Sequence, residues 1–335
     1  NQQLDYSQIR ETHGIESVKM IGFSPVMVEI RKQLEHIASL VDKSRDDYPV
    51  ILVSGETGTG KDVIARLYHQ SGSWWHQRPY VHVDCAALPG ELIEAELFGY
   101  ERGAFTNAHH AKPGLIEVAE DGTLFLDEVG ELPLELQAKL LNVMERRQVR
   151  RLGSTREHRV NAHIIAATNR DLKQMVTDGR FRSDLYFRLN VLGIHLPPLR
   201  ERHEDIVPLA AHFIELVSRR YGLQPPVFSD RAIAELNEYP WPGTVRELQH
   251  VVERAVMLAQ HGVITTEQLV LHGGLVTESE GAGEMDRLAH MTLEQMEKYM
   301  IEKALNRTDG NVSRAARELG LTRMAMRYRM EKYHL

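Results

Sequence analysis

An α/β fold, a parallel sheet carrying helices on both faces and followed by helical segments, is what the order of patterns in these 335 residues predicts. Short apolar, β-branched runs read as strands: Val50–Ser54, Tyr80–Asp84, Thr123–Asp127 and His163–Thr168. They alternate with stretches at helical spacing, notably Lys61–Gln70 and Leu134–Arg147, and such alternation closes most compactly as parallel βαβ units. After "LPPLRERHEDI" (Leu196–Ile206) the strand pattern stops and the spacing is helical to about Leu271.

Taken in order, residues 1–19 are polar and read as a linker remnant. The chain begins at Asn1 without Met or a signal-like stretch, so a piece of a longer protein is expected. A helix is expected from Ser24, with Ser24 at the N-cap and Pro25 at the first helical position. An α/β unit then spans 20–198 and a helical unit 199–271. Residues 272–287, beginning "HGGLVTESEGAGEMD", read as a Gly- and acid-rich linker, and 288–335 as a small all-α unit.

Composition sets the outer bounds. Apolar residues make up 42% and charged residues 26%, ordinary for a globular chain. The net charge of −7 excludes a uniformly basic nucleic-acid binder but leaves room for a local basic patch. The lone cysteine, Cys85, has no partner in the chain for a disulfide, which favours a reducing, cytoplasmic setting. No apolar run approaches the ~18 residues of a membrane span, so no membrane is expected as partner.

The first strand ends in "GETGTGKD", with Gly55, Gly58, Gly60 and Lys61 at the spacing of a phosphate-binding loop. Glycines let backbone N–H groups turn inward around phosphate oxygens. The following helix offers its positive end, and Lys61 reaches the outer phosphates. Asp62 stands where the general motif has a magnesium-binding Ser or Thr. Downstream, "GTLFLDE" places Asp127 and Glu128 at the end of an apolar strand, where two acids are costly unless used. In a P-loop ATPase the first acid serves magnesium and the second polarises the attacking water. "IIAATNRDL" ends another strand at Asn169, which by itself fits turn chemistry as well as a γ-phosphate sensor; "GRFRSDLYFRLN" carries Arg182 and Arg188, which by themselves fit a solvated helix face as well as arginines supplied across a subunit boundary; and "WPGTVREL" places Arg246 early in a helix.

"GYERGAFTNAHHAKPG" (Gly99–Gly114) sets the ring of Phe105 among turn-forming neighbours, so the ring either folds back or grips another molecule. His109 and His110 lack a spaced third ligand for a metal.

The ordered set "GETGTGKD", "ELFGYERGAFTNA", "GTLFLDEVGELPLELQAKLL", "ATNRDL", "FRSDLYFRLNV", "LPPLRER" and "WPGTVRELQ" closely resembles the bacterial enhancer-binding proteins, AAA+ activators of sigma-54 RNA polymerase, over about residues 20–271. An acidic residue after the P-loop Lys is usual there, so Asp62 agrees with the family. The resemblance implies an AAA+ α/β subdomain with a helical lid. It implies ATP held by Gly55, Glu56, Thr57, Gly58, Thr59, Gly60, Lys61 and Asp62, and Mg2+ served by Asp127. Glu128 would position water, Asn169 and Arg246 would be sensors, and Arg182 and Arg188 would be fingers acting on a neighbour's ATP in a hexameric or heptameric ring. Gly103, Ala104, Phe105, Thr106, Asn107 and Ala108 resemble the family's GAFTGA loop, which touches sigma-54. Asn107 replaces a Gly, and Asn tolerates left-handed backbone better than most residues. Asp84 stands at a switch position that more often holds Asn; an acid there could repel Glu128.

Leu293, Met296, Met300, Ile301, Ala304 and Leu305 make one apolar helical face. "VSRAARELG" and "TRMAMRYRMEKY", joined at Gly320–Leu321, then have the form of a helix-turn-helix. From Gly310 onward six cations stand against two acids, a surplus of four in a chain that is acidic overall. This segment resembles a Fis-type module that dimerises and reads upstream enhancer DNA, with Asn311, Ser313, Arg314, Thr322, Arg323, Arg327 and Arg329 as the contact candidates. Two other classes compete: a DNA-binding regulator without ATP turnover or sigma-54, and an AAA+ unfoldase or helicase. The intact Lys61, Asp127, Glu128 and arginine pair speak against the first. The "GAFTNA" insertion speaks against the second.

Overall fold

The structure, a computed structural model, describes residues 19–41, 49–72, 78–87, 89–259, 262–269 and 271, with isolated positions 312, 326 and 330. Residues Asn1–Leu271 form one compact unit and His272–Leu335 another. In chain order the first unit contains α1 (Pro25–Val41), β1 (Ile51–Gly55), α2 (Lys61–Ser71), β2 (Tyr80–Asp84) and α3 (Gly90–Phe98). Next come β3 (Gly99–Tyr100), β4 (Lys112–Pro113), α4 (Leu115–Ala119), β5 (Thr123–Asp127), α5 (Leu134–Arg146), β6 (Gln148–Arg150) and β7 (Glu157–Arg159). They are followed by β8 (His163–Thr168), α6 (Leu172–Thr177), α7 (Ser183–Leu189), β9 (Leu192–Leu196), α8 (Ile206–Tyr221), β10 (Val227–Phe228), α9 (Asp230–Glu238), α10 (Thr244–Leu258), β11 (Val263–Ile264) and α11 (Thr266–Leu269).

Five strands form one sheet in the order β2-β5-β8-β1-β9, and every pairing is parallel. Alternation along each strand feeds two cores. Leu52, Val81, Val83, Leu124, Leu126, Ile164 and Ala166 face α3, α4, α5 and α7, where Leu97, Ile116, Leu140 and Leu185 meet them. Ile51, Val53, Phe125, Ile165 and Ala167 face α1 and α2, where Leu34, Ala38, Ile64 and Tyr68 cover them. Fully burying such a side chain stabilises by about 1.5–3 kcal/mol, so each face holds its helix layer firmly. All four expected strands are present. The edge strand β9, in which Gly193 and His195 alternate with apolar residues, was not among them. Ser24 stands just before α1, where its carbonyl accepts from Val28 N–H (3.0 Å); its hydroxyl donates instead to Asp205 Oδ2 (2.7 Å).

From Leu199 to Leu271 a separate core forms around Trp241, with Ile206, Ala210, Ile214, Leu236, Leu248 and Val252. It is helical as expected, with the short parallel pair β10–β11 added. Of the second unit, Val312, Met326 and Met330 are helical. The DNA-contact candidates Asn311, Ser313, Arg314, Thr322, Arg323, Arg327 and Arg329 lie outside the described residues.

Candidate ATP site and partner loop

All P-loop residues from Gly55 to Asp62 lie between β1 and the first turn of α2. Gly58 and Gly60 have φ of +83° and +100°, a region that L side chains rarely enter. Every carbonyl from Gly55 to Gly60 is already engaged. Lys61 Nζ donates to Gly55 O (3.0 Å) and Glu56 O (3.3 Å), and Thr244 Oγ1 donates to Thr57 O (3.0 Å). Val245 N–H donates to Gly58 O (3.1 Å), Arg202 Nη2 to Thr59 O (2.8 Å), and Ile64 N–H to Gly60 O (3.3 Å). The loop is thus left without an unpaired carbonyl, and those of Thr57, Gly58 and Thr59 are drawn to donors outside it, an arrangement that fits a polyphosphate.

The second acid is held in a strained position. Glu128 follows β5 at φ +51°, ψ +49°, a left-handed geometry costing about 1–3 kcal/mol of the kind that clusters at functional sites. That turn aims its carboxylate at Lys61 (Oε1 to Nζ, 3.5 Å), and its other oxygen accepts from Asn169 N–H (3.0 Å). The Asn169 side chain donates to Thr57 Oγ1 (2.9 Å), so strand β8 bridges Glu128 and the P-loop. Asp127 lies at the end of β5 with Oδ1 accepting from Glu128 N–H (3.0 Å) and Oδ2 3.8 Å from His82 Nε2. Burial pushes this carboxyl upward, but His82, Lys61 and the backbone bond outweigh it and hold the group below its ordinary pKa. A carboxylate kept ionised at a strand end is the donor type a hard divalent cation takes.

Asp84 lies opposite Asp127 in register on β2. Its Oδ1 accepts from Ala86 N–H (2.9 Å), while Glu128 turns toward Lys61 and Asn169. Asp84 makes no hydrogen bond to Glu128 among the described residues. Cys85 beside it is buried, and burial foremost, with the charges of Asp84, Asp127 and Glu128, pushes its thiol up to about 12.

Arg246 is exposed in the first turn of α10, and a Cβ on Gly58 would lie 3.1 Å from its Cβ. The lid therefore brings it beside the P-loop. Arg182 is bound to Asp184 (3.0 and 2.7 Å), and Arg188 Nη2 donates to Met144 O (3.2 Å). Among the described contacts neither reaches its own chain's P-loop. Three residues escaped the sequence reading. Arg200 forms a two-pronged pair with Glu56 (2.8 and 2.5 Å), and Arg202 and Thr244 bind loop carbonyls. The arginines of "LPPLRER" were a legible signal; Thr244 had none.

The Gly99–Gly114 segment projects on the two-stranded stem β3–β4. Its ends meet so closely that a Cβ on Gly99 would lie 2.4 Å from Gly114 N. At the tip Phe105 is 44% exposed, its ring edge-on to Tyr100 at 4.9 Å, and Thr106 and Asn107 are exposed. Ala108 is buried and accepts from Gly103 N–H (2.9 Å). The left-handed turn falls at Gly103 (φ +84°). Asn107 is not among the positive-φ residues, so its tolerance of that region is not used. The loop rests on the β6–β7 hairpin through Leu152 N–H to Gly99 O (2.9 Å) and Glu101 N–H to Leu152 O (3.0 Å). Arg151 stiffens the junction by binding both Glu117 and Glu101. His109 and His110 are exposed, and no cluster of three metal-ligating side chains occurs among the described residues.

Comparison with known proteins gives the same reading. Residues 20–195 match the family described as the Sigma-54 interaction domain, 200–281 the AAA+ ATPase lid domain, and 292–333 the Fis family of bacterial regulatory proteins. The chain is 44% identical over 330 residues to nitric oxide reductase transcription regulator NorR2 of Cupriavidus necator, covering 92% of this chain and 62% of that protein. It is 43% identical to DNA-binding transcriptional activator HyfR of Escherichia coli, covering 98% and 51%. Thus it spans about half to two thirds of these relatives' length. The crystal structure of NtrX from Brucella abortus in complex with ADP superposes with a TM-score of 0.73 at 31% identity, covering 96% of this chain and 70% of that one. The strand order, the P-loop and the projecting loop thus have one common explanation: this chain belongs to the sigma-54 interaction family of AAA+ proteins.

Proposed function

We propose that the chain is an ATP-driven transcriptional activator of bacterial cytoplasm. It would bind upstream enhancer DNA through residues 288–335, dimerise there, and assemble through the AAA+ unit into a hexameric or heptameric ring. ATP hydrolysis in that ring would remodel the closed complex of sigma-54 RNA polymerase. The observation that carries the reading is the Glu128 carboxylate held between Lys61 and Asn169, in the chain that also leaves Phe105 exposed on the Gly99–Gly114 loop.

With ATP and Mg2+ bound, the pair supplies a phosphoanhydride activated for attack by water. The inward P-loop amides and Lys61 bind and orient phosphate oxygens. Asp127, ionised, holds the cation, and Glu128 orients water and accepts its proton. Asn169 fixes the carboxylate that does so. Arg182 and Arg188 complete a neighbour's site, in keeping with side-chain contacts to Asp184 and Met144 rather than to their own P-loop. Phe105 and Thr106 grip sigma-54.

The test is ATPase activity against protein concentration. Specific activity should rise as rings assemble, and mixing Arg188→Ala chains with Glu128→Gln chains should restore part of the turnover lost in each. Turnover independent of concentration down to monomer would refute shared catalysis. A native chain that binds DNA but never hydrolyses ATP would favour a regulator without turnover.

A further inference from the structure

Four successive residues of the P-loop are each held by a side chain or amide from the segment that begins at Leu199. Arg200 pairs with the Glu56 carboxylate, Thr244 Oγ1 binds Thr57 O, Val245 N–H binds Gly58 O, and Arg202 binds Thr59 O. Three of these four contacts take a carbonyl. A carbonyl that pointed inward would meet phosphate oxygens as one acceptor meets another. Holding carbonyls outward is therefore what keeps the loop receptive to phosphate, and here the lid side does the holding.

Thr244 is the costly member. It is fully buried, β-branched, and sits at φ +57°, where the branched side chain crowds its own backbone. Among the described residues its hydroxyl has Thr57 O, at 3.0 Å, as its hydrogen-bond partner. The same Thr57 receives the Asn169 amide on its side-chain oxygen (2.9 Å), and Asn169 N–H holds Glu128. A continuous path thus runs from the lid through Thr244 and Thr57 to Asn169 and Glu128.

From this geometry we infer that Thr244 is a positioning residue: its hydroxyl couples the lid to the P-loop, setting both nucleotide affinity and the placement of Asn169 against Glu128. This rests on the ATP-site reading above. Because coupling is reciprocal, nucleotide that orders the P-loop also draws the lid onto it.

The test uses the full chain with Thr244→Val and Thr244→Ser. Valine keeps the branched shape and its backbone strain while removing the hydroxyl; serine keeps the hydroxyl. ADP affinity is measured by calorimetry and the melting temperature without nucleotide by circular dichroism. Loss of one neutral hydrogen bond corresponds to roughly a three- to tenfold weakening. We expect Thr244→Val to bind ADP weaker by that factor, Thr244→Ser to bind within about twofold of the native chain, and kcat to fall with Val but not Ser. A Val chain that melts lower yet binds ADP as tightly as native would show a merely structural role and overturn the inference. A native chain that binds no ADP would overturn the ATP-site reading itself, a different result.

Discussion

Two P-loop glycines with the same backbone demand but different surroundings offer a direct measure of the lid contact. Gly58→Ala forces an L side chain into φ +83°, and its Cβ would lie 2.7 Å from Thr244 Oγ1 and 2.9 Å from Gly243 O. Gly60→Ala forces φ +100°, but the nearest atom to its Cβ is Val63 Cγ2 at 3.9 Å. Left-handed backbone costs an alanine about 1–2 kcal/mol, and both variants carry that. Only Gly58→Ala also displaces the lid, losing the Thr244–Thr57 and Val245–Gly58 bonds at about 0.5–1.5 kcal/mol each. The expected losses are therefore about 2–5 kcal/mol for Gly58→Ala and about 1–2 kcal/mol for Gly60→Ala. For a unit of this size each kcal/mol lowers the melting temperature by roughly 2–4 °C. Thermal unfolding of the nucleotide-free chain reads the difference. Equal destabilisation by the two substitutions would refute the claim that the lid docks through Gly58.

Two further outcomes follow from the site and the loop. Cys85, buried and with its thiol pushed up to about 12, stays protonated at pH 8. Ellman's reagent should label it slowly in the native chain and quickly in urea, and rapid native labelling would contradict the packing of β2 against β5. At the loop tip, Asn107 does not occupy left-handed backbone, so Asn107→Gly relieves no strain. It should leave the melting temperature nearly unchanged and retain or strengthen sigma-54 binding in the presence of a transition-state phosphate analogue, whereas Thr106→Ala should lose binding. A Thr106→Ala chain that binds like native would remove the loop from the contact.

Much of the fold was legible because its signals are local. Near-continuous apolar runs within Val50–Ser54, Thr123–Asp127 and His163–Thr168 report strands covered on both faces, and "GETGTGKD" marks a glycine-rich turn from strand to helix. The same locality marked Asp127, Glu128 and Asn169 as strand-end groups and Phe105 as a ring on a turn-rich stretch. What the sequence could not carry is any relation between distant segments. Nothing in the local pattern told that a left-handed turn at Glu128 brings its carboxylate to Lys61 and Asn169. Asn107 suggested a left-handed residue, yet the turn falls on Gly103, four positions earlier, because the stem fixes where the chain must reverse. Strand β9, with Leu192, Ile194 and Leu196 alternating with Gly193 and His195, was not read from the sequence and takes its place by pairing along β1. The residues 56–59 and the lid positions 200, 202, 244 and 245 are more than 140 apart in the chain; their hydrogen bonds exist only once two separate cores have formed and met. Residue type and spacing determined the chemistry on offer, and tertiary packing decided which donor faces which acceptor, because a hydrogen bond depends on distance and angle that no local pattern encodes.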